Sequence, residues 1–573
     1  MKANPVTGKI RRILFLQLPC LDNEIGRRTE NMGLAGFYLL HSLVRTGEAG
    51  GLEFRFLERK KELLDDGHIL HLLLDWQPDV ICCTLYLWNI ERTLHILKRF
   101  KVAEPTVRIV AGGPEVCIHH PFLFRSLVPD VVVSGEGEGV FPHILRALRR
   151  HETTDLAYVA WKKDHRYQWG ERILPALSLQ ESLPPPHHPG WVPDADGTAY
   201  VEAGRGCPMS CTYCRYAHQR KGMTFLPPQE LTKRIRVLRD RGAREIRFVD
   251  PTLNANPFFS RILRSLAGLN KTGPIRFFAE VRAETLLPGQ IDILASAGFK
   301  EVEVGVQSRD PKVLRLIHRP ANHSLLEENL SRMVSEGIEV TLDLMYGLPG
   351  QSFEDVAGSL GWAKDLAVRN IQCLQTLLLP GTELRKNRKR WGMAADSLPP
   401  YGVRSTDSLS WNEIRDIEEL IHEISPADCM TSRFTGYRLS DLFEEKVVIH
   451  IDRGKDPAFL QGSSSRRAIL FRGDDLFAAK SEVCKIMSEA VAAEPHMLWQ
   501  FVLNPEREFP LDLLESMIAQ LHAFPSHWID RSASVAGWNR IASRRILVLL
   551  RQDFRYSTSW IKAVESLLED HFY

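Results

Sequence analysis

Two trains of short apolar runs, each run followed by a helical pattern, are separated by one stretch that can hold neither. In the first train the runs fall at 13–18, 54–57, 80–85, 107–111 and 131–134, with helical patterns at 33–44, 68–76 and 90–100. Short strands alternating with helices predict a parallel sheet covered on both faces. Ligands of such sheets sit at the loops after the strand ends. Here those loops read LYLWN (85–89), GGPE (112–115) and GEGE (135–138), and their glycines let backbone come close to a large ligand. The break is ESLPPPHHPGWVPDADGT (181–198), too rich in proline and glycine for regular structure. His187 and His188 inside it are read as exposed filler. Beyond it, strands are expected at 199–203, 245–250, 276–281, 301–306, 339–345 and 372–379, with helices at 228–241, 258–269, 288–297, 324–336 and 353–367. Six such units in sequence predict a partial or closed β/α barrel, whose functional groups gather at the strand C-termini. The remainder, 400–573, is less patterned, with amphipathic segments at 411–424 and 481–492. The expectation is an α/β protein: a Rossmann-like, doubly wound domain over 1–150, a linker over 151–198, a barrel over 199–395, and a smaller, mainly helical or α+β domain over 396–573.

Composition narrows the setting. Across 573 residues, 73 basic and 71 acidic side chains leave a formal charge of +2, so no polyanion-binding surface is implied and nucleic acid is not an expected partner. No run reaches the ~18 apolar residues of a membrane helix, and the apolar ILFLQL near the N-terminus is too short for the core of a secretory leader. Ten cysteines without a regular pairing pattern suit a reducing, cytoplasmic setting better than a disulfide framework.

The most specific feature is GRGCPMSCTYCRY (204–216), which spaces Cys207, Cys211 and Cys214 as C-x3-C-x2-C directly after the first expected barrel strand. Structural zinc takes four protein ligands in paired knuckles, and no second knuckle follows: Cys373, Cys429 and Cys484 stand singly. A disulfide would leave a thiol over. Three thiolates at this spacing can hold three irons of a [4Fe–4S] cluster and leave the fourth iron open to a small molecule.

This loop, with Tyr213 before its last cysteine, resembles the signature of the radical S-adenosylmethionine (radical SAM) enzymes. FVDPTLNANP (248–257), AEVRAE (279–284), EVGVQS (303–308), DLMYGLPGQS (343–352) and LLLPGTELR (377–385) resemble successive strand-end motifs of that family. The resemblance implies that the open iron chelates SAM, with Tyr213 beside the adenine and Asp250 at the amino end. Glu280 and Arg282 would line the ribose and carboxylate side, and Gln307 and Gly347 would lie near the adenosine. A parallel α/β domain ahead of such a barrel resembles the cobalamin-binding branch, with NMGLAGFYLLHSLVRTG (31–47) as that domain's first helix. It implies cobalamin contacts from Leu85, Tyr86, Trp88, Asn89, Gly112, Gly113, Glu115, Gly135, Glu136 and Gly137.

DGHILH (66–71) looks like the D-x-H-x-x-G signature that supplies a cobalt-ligating histidine, but lacks its glycine and falls in the helix before the third strand. Asp66, His68 and His71 are read instead as solvated groups of a surface helix, so cobalt is expected to lack a histidine ligand. By resemblance the function is C-methyl transfer from SAM through methylcobalamin to a small molecule or peptide, fed by an electron donor such as flavodoxin or ferredoxin. Its rivals are cobalamin-dependent cyclisation or rearrangement without methylation, methylthio transfer using a second cluster, and a non-catalytic sensor. For a second cluster only Cys20, Cys82, Cys83 and Cys117 are on offer, and the adjacent Cys82 and Cys83 of a strand point to opposite faces. Tryptophans 499, 528, 538 and 560 are read as packing residues. Reconstituted protein should carry about four irons per chain, the content of one cluster; about eight on elemental analysis would revive the second.

Overall fold

The computed structural model describes residues 10–21, 34–58, 61–188, 191–194, 196–216, 222–424, 442–451, 462–531, 543–551 and 553–570. The first unit is a seven-stranded sheet of β1 (Arg12–Leu16), β2 (Glu53–Phe56), β3 (Val80–Thr84), β4 (Arg108–Gly112), β5 (Val131–Val133), β6 (Val159–Lys163) and β7 (Arg166–Trp169), in the order β2-β1-β3-β4-β5-β6-β7. β1 to β5 are parallel. Strand order therefore reverses between β1 and β3, and a ligand crevice opens at such a switch point. β6 and β7 pair antiparallel onto β5. The sheet thus runs to Trp169, past the boundary expected at 150, because VAWKK and RYQW continue it as a hairpin in the region read as linker. Alternation along β3 sends Val80 and Cys82 into one core and Ile81 and Cys83 into the other. Burial pushes the Cys83 thiol up to about 12 and Cys82 up as well.

The second unit pairs β8 (Thr198–Val201), β11 (Glu245–Phe248), β12 (Arg276–Val281), β13 (Phe299–Gln307), β14 (Glu339–Tyr346) and β15 (Asn370–Gln375) side by side in chain order, all parallel. β15 and β8 do not pair, so this is a partial six-unit barrel. Val302, Val304 and Val306 of β13 face the helix layer, which by the two-residue period turns Glu303 and Gln307 inward. Short antiparallel pairs, β9 (Gly204–Arg205) with β10 (Thr224–Phe225) and β16 (Ala394–Ala395) with β17 (Val403–Ser405), flank the strand ends.

The last unit departs from expectation. It is a parallel sheet of β18 (Glu445–His450), β19 (Arg466–Gly473), β20 (Leu498–Pro505) and β21 (Arg544–Val548), in chain order. β20 is buried along its whole length, and a strand buried on both faces lacks the polar alternation that marks a strand in sequence. Right-handed crossovers in unreversed order place the connecting helices on one face. There Lys480–Ala493, Asp512–His522 and Thr558–Asp570 enclose a core containing Trp499 and Trp560. Trp528 is also buried, while Trp538 lies outside the described residues. The opposite face, with Ala468, Leu470, Leu498, Val502 and Leu547, packs on Leu21 and Leu63 of the first unit.

Polar contacts fix that docking. Arg467 is fully buried, with Nη2 2.8 Å from Asp65 Oδ2 and Nε 2.8 Å from Glu445 Oε1. Asp65 also caps the helix Asp66–Trp76. Arg531 donates to Pro399 O at 2.7 Å and pairs with Glu91. Removing one member of a buried pair leaves the other charge uncompensated. Arg467→Ala should therefore lower unfolding free energy by about 3–5 kcal/mol, read from denaturant unfolding; a loss below about 1 kcal/mol, as for exposed pairs, would contradict it.

Candidate active site

The cysteine loop is held by backbone and by charge. β8 leads through Glu202 and Ala203 into β9. Asp250, just past β11, accepts the Ala203 N–H at 2.9 Å through Oδ2. Burial pushes the Asp250 carboxyl up to about 8, against the pull of the Ala203 and Gly204 backbone. Its observed contact is with the strand that launches the loop. Gly206 has φ +100°, and a Cβ there would stand 2.5 Å from Gly222 O, so only glycine turns the chain into Cys207. Further on, Thr212 N donates to Ile317 O at 3.1 Å and Leu384 N donates to Thr212 O at 2.8 Å. Cys207 Sγ lies 3.8 Å from Thr252 Oγ1, and Arg319 Nη1 lies 3.8 Å from Cys211 Sγ. Among the described residues no three His, Cys, Asp or Glu side chains form a ready cage for a metal ion. The fit to a cluster rests on donor chemistry: three thiols on one strand-end loop, one of them beside the Arg319 guanidinium.

Inside the barrel, Glu280, Glu303 and Asp343 approach one another around Arg319. Burial, then Glu303, push the Asp343 carboxyl up to about 9; burial and Glu303 push Glu280 up to about 7. Arg282 donates to Glu284 at 2.8 Å and to Pro320 O at 2.9 Å and contacts Met209 of the cysteine loop. Gln307 is buried, and among the described residues neither its Oε1 nor Asp343 Oδ1 has a hydrogen-bond partner; orphaned buried acceptors are expected where a ligand completes the site. Tyr213 packs between Met345 and Leu348 on one side and Leu378, Met393 and Val403 on the other. Gly347 adjoins the same Val403. Glu303, Asp343 and Arg319 did not emerge from the sequence reading. The alternation of Val302, Val304 and Val306 with polar residues was the available signal for Glu303.

An open cleft of about 400 Å³ lies at the switch point of the first sheet, within the ~300–1,000 Å³ range of small-molecule and cofactor sites. Tyr86, Gly112, Gly113, Gly135, Glu136 and Gly137 line it, as do Gln17, Tyr38 and Glu138. Its remaining wall comes from the second unit: Glu202, Arg205, Gly206, Tyr216 and Val249. Gly113 has φ +107°, and a Cβ there would meet Leu85 backbone at 2.7 Å. Four expected contacts lie elsewhere. Leu85 is fully buried, and its N–H donates to Gly112 O. Asn89 is buried as a turn clamp, accepting from Tyr86 N at 2.8 Å and donating to Leu18 O at 2.9 Å. Trp88 stacks on Tyr86 at 4.5 Å without lining the cleft. Glu115 points into the seam between units, 2.7 Å from His120 Nε2 and 3.0 Å from Tyr401 OH.

The cleft and the cysteine loop meet at Arg205. Its guanidinium is 2.6 Å from Glu202, 2.9 Å from Glu138 and 3.5 Å from Glu136, above the Tyr38 ring. Asp66 is not solvated, as the sequence reading had it: it is fully buried 2.6 Å from Arg92. His68 bonds Asp65, His71 is exposed beside Asp75, and neither histidine lines the cleft.

Glu280 and Asp343 set a pH dependence. Their folded pKa values exceed their ordinary ones, so the folded chain binds more protons than the unfolded chain in between. Stability of the cofactor-free chain should fall as pH rises from about 5 to about 9, and Asp343→Asn should flatten that fall; thermal unfolding across the range checks this, and an equally steep profile in the variant would count against it.

Comparison with known proteins agrees with this arrangement. The B12 binding domain profile matches residues 40–145, and the Radical SAM superfamily profile matches residues 201–363. An uncharacterized methyltransferase of Pyrococcus horikoshii is 23% identical over 390 residues, covering 66% of this chain and 83% of its own. The cobalamin-dependent radical SAM methyltransferase TokK of Streptomyces tokunonensis is 25% identical over 380 residues, 59% of this chain and 51% of its own; the chain thus spans about half of TokK. In fold, the radical SAM methyltransferase TsrM of Kitasatospora setae, with tryptophan and a SAM analogue bound, superposes with a TM-score of 0.55 at 14% identity, covering 68% of this chain and 79% of that one.

Proposed function

Because the chain joins a B12-binding domain to a radical SAM domain, we propose that it is a cobalamin-dependent radical SAM methyltransferase. It moves a methyl group from SAM through methylcobalamin to a carbon of a small-molecule or peptide substrate. The observation that carries this reading is a shared wall: Arg205, Gly206 and Tyr216, flanking Cys207 and Cys214, line the same cleft as the glycine loops of the first sheet. When bound, the cluster with SAM supplies a 5′-deoxyadenosyl radical and methylcobalamin supplies a transferable methyl group, chemistry that side chains lack.

The residues of the chain position and isolate. Cys207, Cys211 and Cys214 hold the cluster, and Arg319 offsets the thiolate of Cys211. Tyr213, Glu280, Arg282, Gln307 and Gly347 form the SAM side of the barrel, with the orphaned acceptors of Gln307 and Asp343 open to its donors. Asp250 acts through the loop it anchors. Tyr86, Gly112, Gly113, Gly135, Glu136 and Gly137 form the cobalamin wall. Among the described residues no histidine lines the cleft; cobalt without a histidine ligand is part of this proposal. No disulfide joins the described cysteines, which suits the cytoplasm, where a flavodoxin or ferredoxin supplies electrons. No described helix is long and apolar enough to cross a membrane.

Reconstituted protein given trideuteromethyl SAM, cobalamin, reductant and a metabolite extract should form 5′-deoxyadenosine and a product bearing the intact label. Cys211→Ala should abolish both. Full 5′-deoxyadenosine formation with an unlabelled product would replace methylation by rearrangement or cyclisation.

A further inference from the structure

A chain with a formal charge of only +2 concentrates positive charge beside the cysteine loop. After β15 the helix Glu383–Lys386 runs into a turn over Arg388–Trp391, so RKNRKR occupies 385–390. Lys386, Arg388, Lys389 and Arg390 are all exposed. Among the described residues none of the four pairs with a carboxylate: Arg388 donates to Arg385 O at 3.2 Å, and Arg390 lies over Trp391 at 4.8 Å. Of the acids in and beside the segment, Glu383 lies 3.8 Å from His318, and the Asp407 N–H donates to Trp391 O.

The segment is fastened to the cluster loop. Leu384 N donates to Thr212 O at 2.8 Å, one residue beyond Cys211. Leu384 and Met393, on either side of the cations, pack with Tyr213, between Cys211 and Cys214. The four charges thus stand on a segment bonded and packed directly against the cysteine loop.

Resting on the proposed function, we infer that Lys386, Arg388, Lys389 and Arg390 form the docking surface for an acidic one-electron carrier protein. An oxidised cluster must gain one electron per turnover from outside the chain, the carrier losing one. Unpaired cations beside the cysteine loop steer an acidic carrier and speed its encounter at low salt. Single-stranded nucleic acid fits the patch less well, because it is gripped by a row of stacking rings. Here Trp391 is the one ring in the segment, and Arg390 lies on it.

The test uses cluster-loaded full-length protein and its Lys386→Glu, Arg388→Glu, Lys389→Glu, Arg390→Glu quadruple variant, with the matching Gln quadruple as a milder change. Binding of a net-negative bacterial flavodoxin and stopped-flow cluster reduction by its hydroquinone are followed from about 50 to about 500 mM salt, where screening removes such steering. Reduction by photoreduced deazariboflavin, a small neutral donor, is measured alongside. The expected result is reduction by flavodoxin at least about tenfold slower in the Glu variant at low salt, converging with wild type at high salt. The Gln variant falls between, and deazariboflavin reduces all three alike. Equal flavodoxin rates and affinities would overturn the inference, as would slowing with both reductants, which marks damage to the loop. Patch-dependent binding of a tRNA transcript with unaltered flavodoxin kinetics would overturn it in favour of nucleic acid. A wild-type cluster that neither donor reduces would remove the proposed function, and this surface with it.

Discussion

The arrangement depends on the burial of one guanidinium between two domains. Arg205 arises two residues before Cys207, yet two of its three carboxylates come from the glycine loop after β5. A buried arginine left unpaired is costly, so the chain gains most when the first sheet's strand ends face the mouth of the barrel. That constraint makes the cleft of the first sheet and the start of the cysteine loop one cavity. Arg215, just after Cys214, repeats the device by donating to Val116 O, with Glu115 at 3.8 Å. The loop is thus tied to the first unit from both ends of its cysteine run.

Burial inside the barrel has a different character. Around Arg205 charge is compensated, whereas Glu280, Glu303 and Asp343 crowd one cation, and Glu280 and Asp343 keep protons that carboxyls at the surface would lose. Such a cluster is poorly matched by protein alone, and its orphaned oxygens mark where bound molecules supply the missing partners. Stability and ligand binding are therefore in tension there, as is common where a fold keeps polar groups for chemistry.

How much of this was legible depended on how far apart in sequence the interacting residues lie. The cysteine spacing is a local motif and is visible in thirteen residues. Strands of the first two units declare themselves through apolar runs of ordinary length, and β13 even shows which side faces inward. The clamp at Arg205 is invisible, because Glu138 stands 67 residues away in another domain. Asp66 was misread for the same reason, its partner Arg92 lying 26 residues on. Leu85, Asn89 and Glu115 sit in the right loops but face inward, and loop composition does not give direction. The last sheet was missed because its central strands, β19 and β20, are buried on both sides and carry no alternating pattern.

That sheet has a consequence for how the molecule is made. Its order, unreversed from β18 to β21, leaves one face without helices of its own, and Leu21 and Leu63 of the first unit provide its cover. Synthesis delivers the first unit before the last, and domains tend to fold in the order they emerge. The final strands therefore leave the ribosome to find a finished surface waiting, and assemble against it as against a template. Expressed without that surface, the same strands would present a bare apolar face, and the fate of such a fragment is aggregation.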